Sequence, residues 1–133
     1  MKHILALLFL CCAFNTQAQY NKEKLTNILT NGNTKNWSVK GTNLERPEKT
    51  YEFNKNGNLT IGKDDGQGKI ISVADKWLLT TKDNIRWFLQ TGKEVNELII
   101  SFEKNGTQYL KLTHRGTGKN TSVYYETQLH AIK

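Results

Sequence analysis

The chain is poor in the residues that staple or break a fold. Only two of its 133 residues are cysteine, Cys11 and Cys12, and both lie in an apolar run at the N-terminus. A disulfide framework and a cysteine-ligated metal are thereby excluded for everything after that run. The single proline, Pro47, falls in a connection between predicted strands, where it removes no ladder hydrogen bond. The formal charge is +7, yet no basic run interleaved with aromatics occurs, because lysines and acids alternate along the chain. That spacing argues against a nucleic-acid partner and for a solvated basic surface. No internal repeat and no low-complexity segment is visible.

What is present begins with the leader. Lys2 and His3 precede an apolar run from Ile4 to Phe14, which is long enough for a secretory signal and too short to span a bilayer as a helix. Thr16-Gln17-Ala18 supplies small residues before a cut at Gln19. Residues 1–18 therefore read as a signal peptide and residues 19–133 as one exported domain, periplasmic or secreted, without a transmembrane span. Cleavage would remove both cysteines and Lys2, leaving a charge of +6 on a domain held together by its core. Lipid anchoring through Cys11 or Cys12 is the weaker alternative, since Leu10 stands where lipidation wants a small residue.

After the leader, Leu25, Ile28 and Leu29 share one face of a short helix over Tyr20–Thr30, which Gly32 can end in the left-handed conformation. The period then changes to two. Strands are predicted at Lys35–Gly41, Lys49–Asn54, Asn58–Gly62, Lys69–Val73, Lys76–Thr80, Asn84–Gln90, Val95–Glu103, Thr107–His114 and Thr121–Ile132. These are nine strands, or eight if Lys69–Thr80 is one long bent strand. Two hairpins can be placed in register. A three-residue loop at Lys55-Asn56-Gly57 sets Phe53 against Leu59 and Tyr51 against Ile61, and Lys104-Asn105-Gly106 sets Ile100 against Leu110 and Leu98 against Leu112. The remaining inward residues are Trp37, Val39, Ile71, Val73, Trp77, Leu79, Ile85, Trp87, Leu89, Phe102, Val123, Tyr125, Leu129 and Ala131. Sequential antiparallel strands with one apolar face each favour closure into an all-β, up-and-down barrel over a sandwich.

Catalytic signals are scarce. No Gly-x-Ser-x-Gly elbow occurs, and no serine or cysteine nucleophile has a recognisable base. The inward faces are expected to carry almost no ionisable groups. His114 and His130 read as surface or rim residues on the phase opposite to the apolar ones, and they supply too few ligands for a metal. Asp64 and Asp65, flanked by glycines, read as a plain loop rather than a calcium site. A non-enzymatic protein without a cofactor is the expectation. Trp37, Tyr51, Phe53, Trp77, Trp87 and Tyr125 are the candidate ligand-binding residues, lining a cavity for a small apolar or amphipathic ligand. The same aromatics could instead fill the interior. In that case the alternative is action through the outer surface on a protein partner in the envelope, as inhibitor, immunity protein or assembly partner; a monomer is the expectation throughout.

The chain resembles the small lipocalin-like proteins exported by Bacteroidota-type bacteria. The resemblance lies in Asn36-Trp37-Ser38-Val39 after a short helix, Tyr51-Glu52-Phe53-Asn54-Lys55-Asn56-Gly57-Asn58-Leu59, and Lys76-Trp77-Leu78-Leu79. Glu97-Leu98-Ile99-Ile100 and Tyr109-Leu110-Lys111-Leu112 extend it over most of the predicted domain. It implies an eight-stranded barrel with Trp37 packed at the closed end, and it implies no particular ligand.

Overall fold

A computed structural model describes residues 20–40, 49–116, 119 and 123–132. The predicted signal peptide, both cysteines and Pro47 lie outside the described residues. The first element is a helix, α1 (Lys22–Thr30). Asn21 caps its start, its side-chain oxygen accepting from the Lys24 N–H at 2.8 Å. The helix ends at Thr30, and Gly32 is left-handed at φ 82°, as expected. Asn31 itself turns left-handed at φ 52°, and its N–H donates to the Asn27 carbonyl.

Eight strands follow: β1 (Thr34–Lys40), β2 (Lys49–Asn54), β3 (Asn58–Asp64), β4 (Ile70–Thr81), β5 (Trp87–Thr91), β6 (Glu94–Phe102), β7 (Gln108–Arg115) and β8 (Tyr124–Ala131). Each pairs antiparallel with the next, and β8 closes on β1 through Trp37 opposite Ala131 and Val39 opposite Leu129. The barrel is closed and up-and-down. Both hairpin registers are as read: Phe53 faces Leu59, Tyr51 faces Ile61, Leu98 faces Leu112 and Ile100 faces Leu110. Gly57 and Gly106 close the two loops at φ 94° and 86°.

Lys69–Thr80 resolves into one strand, β4, because it serves two neighbours in succession. Its first part, Ile70–Lys76, pairs with β3, and Trp77–Thr81 pairs with β5.

The core fills the half of the barrel nearer α1. Trp37, Phe53, Leu59, Leu89, Leu110 and Leu129 are fully buried there, with Leu25 and Leu29 of the helix pressed over them. Burying side chains of this size stabilises by roughly 1.5–3 kcal/mol each. Each tryptophan indole Nε1 donates to a main-chain carbonyl: Trp37 to Leu29 at 3.0 Å, Trp77 to Asn54 at 2.8 Å and Trp87 to Tyr20 at 3.2 Å. Two of those three bonds bind the N-terminal segment to the barrel.

Six residues expected to point into the core are exposed: Ile71, Val73, Ile85, Phe102, Val123 and Tyr125. Ala131 is exposed as well. Ile85 fails because β5 begins later than expected. Asp83 accepts from the N–H groups of Ile85 and Arg86, Thr81 Oγ1 accepts from Asn84, and Asn84 turns left-handed, so Ile85 sits in a turn. Val123 precedes β8. Ile71, Val73 and Tyr125 keep the inward phase but stand toward the end of the barrel away from α1, beyond the filled layers.

Candidate functional site

Alternation along a strand fixes which face a residue occupies, and pairing carries that face from strand to strand. Following it toward the end away from α1 gives a mouth lined by polar residues. Lys49 faces Lys63, Asp75 faces Leu59, Glu94 faces Thr91, Asn96 faces Leu89 and His114 faces Tyr125. The expectation of an interior almost free of ionisable groups holds for the helix half and fails for the mouth. His114 is corrected with it, since it shares the phase of Leu110 and Leu112. His114 stacks on Tyr125 at 5.2 Å, and its Nδ1 meets Asn96 Oδ1 at 2.8 Å.

One side of the mouth opens into a pocket of about 650 Å³. Its floor is apolar, made by Tyr51, Ile61 and Trp77. Below that floor lies the buried core. Tyr51 stacks on fully buried Phe53 at 5.9 Å, and Phe53 meets the edge of Trp77 at 5.8 Å and 86°. The Trp77 indole is held by its bond to the Asn54 carbonyl, so the floor is fixed rather than adaptable.

The rim is charged. Lys49, Lys63, Lys76 and Lys93 line the pocket against Asp75 and Glu94. The lysines are not equivalent. Lys76 Nζ bonds to the Asn58 side chain, whereas Lys49 and Lys63 stand directly opposite each other on the inward face of the β2–β3 hairpin. Lys49 Nζ lies 5.0 Å from the centre of the Tyr51 ring. Among the described residues neither Lys49 nor Lys63 has an ion-pair partner. Like charges placed opposite one another across a ladder destabilise it, and an anion between them would reverse that cost.

The predicted site residues divide accordingly. Tyr51 and Trp77 come together in the pocket. Trp37 and Phe53 are core, Trp87 lies at the helix end beside Tyr20, and Tyr125 is exposed on the mouth's far side. Lys49, Lys63 and Asp75 were missed. The signal for the lysine pair was available, because extending the Tyr51–Ile61 register by two residues places Lys49 opposite Lys63 on the same face.

His130 lies on the outer wall, half-buried, stacked on Tyr109 at 4.9 Å with Glu103 Oε1 at 3.4 Å from Nδ1. Burial and then the charge of Lys40 push its pKa below the usual histidine value, outweighing the opposite pull of Glu103. Among the described residues no three His, Cys, Asp or Glu side chains stand close enough to hold a metal, and no helix is long and apolar enough to cross a membrane. Comparison of the chain with family models, with curated proteins and with solved structures gives no match.

Proposed function

We propose that this protein is an exported, non-enzymatic, lipocalin-like binding module that takes a small anionic amphiphile at the mouth of its barrel. The observation that carries this reading is the Lys49–Lys63 pair over the Tyr51–Trp77 floor. The two ammonium groups suit a carboxylate or a similar head group, and the aromatic floor suits a short apolar body. The filled core beneath Phe53 limits how far that body can enter, so a short or bent chain fits better than a long straight one. The leader supports export, and the net positive charge would favour encounter with an anionic ligand.

Titration with decanoate, followed by tryptophan emission and calorimetry, tests this reading. Saturable binding is expected, with decanol binding more weakly and the emission change abolished by Trp77→Phe. Absence of heat and of spectral change with decanoate and with shorter and longer carboxylates would overturn it.

A further inference from the structure

We propose that two copies of this chain join edge to edge along the first half of β4, antiparallel about a two-fold axis through Ser72. The starting observation is that β4 outruns its neighbour. β5 pairs with it only from Trp77 onward, so among the described residues Ile70–Asp75 has a ladder on its β3 side alone. The direction of the free main-chain groups follows from two hydrogen bonds. The Lys76 carbonyl accepts from Gly92 on the β5 side, and the Trp77 N–H donates to Gly57 on the β3 side. Even-numbered residues of β4 therefore turn their N–H and C=O outward, which leaves those of Ile70, Ser72 and Ala74 on an open edge. Such an edge is a template for another strand.

The sequence of this edge suits a copy of itself. A continuous sheet across a two-fold axis requires inward residues to meet inward residues. Centring the axis on Ser72 sets Ser72 opposite the partner's Ser72 and Ile70 opposite the partner's Ala74, with each of these pairs exchanging both main-chain hydrogen bonds. On the other face, Ile71 meets the partner's Val73 and Lys69 meets the partner's Asp75, twice by symmetry. Shifting the register by one step either way breaks the charge pairing and leaves fewer of the outward groups matched. The pairing also covers Ile70, Ile71 and Val73, now 69%, 44% and 39% exposed.

Charged residues on a free edge commonly serve to prevent pairing. Here the stretch from Ile70 to Ala74 carries no charge and no proline, and the flanking charges have opposite signs where an antiparallel copy would join them. Asp75 also lines the mouth pocket, so the pairing brings the partner's Lys69 to its wall.

Sedimentation equilibrium over a concentration series tests the proposal, using protein expressed from the full-length sequence with Cys11→Ser and Cys12→Ser. A reversible monomer–dimer equilibrium is expected. Lys69→Glu or Asp75→Lys should each weaken it by roughly tenfold, and the double exchange should restore it, because reversing one charge sets like charges opposite one another at both symmetric pairs. Ser72→Cys should form an intermolecular disulfide under mild oxidation, since hydrogen-bonded pairs bring Cα atoms to about 5.5 Å, within disulfide reach. Thr80→Cys, on the paired part of β4, should not. A protein that stays monomeric at every concentration, an association indifferent to both charge reversals, or equal cross-linking at Ser72 and Thr80 would each overturn the proposal.

Discussion

The Trp37 indole reaches out of the barrel to the Leu29 carbonyl at 3.0 Å, joining the first strand to the last turn of the helix. Trp37 is fully buried, so it acts at once as core and as latch. Replacing it with alanine should cost about 3–5 kcal/mol, a large share of the roughly 5–15 kcal/mol that holds a domain together. Trp37→Ala should therefore be largely unfolded by circular dichroism. Trp37→Phe keeps most of the packing and loses the bond, at a cost of about 1–3 kcal/mol. His114→Ala, on an exposed side chain, should melt within about 0.5 kcal/mol of the parent. A Trp37→Ala protein that melts like the parent would refute the inward placement of Trp37.

Reversing Lys49 or Lys63 separates charge recognition from apolar contact. Lys49→Glu should weaken decanoate by roughly tenfold, about 1.4 kcal/mol, and leave decanol nearly unchanged. Equal losses for the acid and the alcohol would show that the lysine only shapes the pocket.

His130 gives a pH signature. Its folded pKa lies below the unfolded value, so the unfolded chain takes up the proton first as the pH falls. Stability from the neutral ring is fully present above the unfolded value of about 6.5 and is lost as the pH drops through that value toward the folded one. The melting temperature of the parent should fall more steeply between about pH 7 and pH 5 than that of His130→Gln. Parallel pH profiles would remove His130 from the account.

Gly106 holds φ 86° in the β6–β7 loop with open space around its Cα. Alanine there meets no neighbour and pays only for the left-handed backbone, about 1–2 kcal/mol, whereas asparagine tolerates that region better. Gly106→Ala should melt lower than Gly106→Asn; the reverse order would mean that the loop relaxes.

Phase was legible in the sequence, and height along the barrel axis was not. The Asn-Gly loops and apolar alternation were enough to set two hairpin registers residue for residue. Alternation also put Ile71, Val73 and Tyr125 on the inner face, where they are. Their exposure depends on standing above the filled layers, which is fixed by strand stagger around the whole barrel rather than by local pattern. The aromatics were overweighted for the same reason. Trp37 and Phe53 look no different in sequence from Tyr51 and Trp77, and only their height separates plug from pocket. Lys49 and Lys63 read as routine surface charge because neither interrupts an apolar run.

The stacking of a filled half under a polar half has a consequence for how such a chain could change. Most strands contribute to both halves, yet the charged side chains of the rim are not among those that fill the core, and the two sets meet only at the Tyr51, Ile61 and Trp77 floor. Substitutions at Lys49, Lys63, Asp75 or Glu94 leave the packing around Phe53 and Leu110 untouched. A barrel built this way can drift in what it recognises while its folding stays constant, and the mouth becomes the natural place to graft a new specificity.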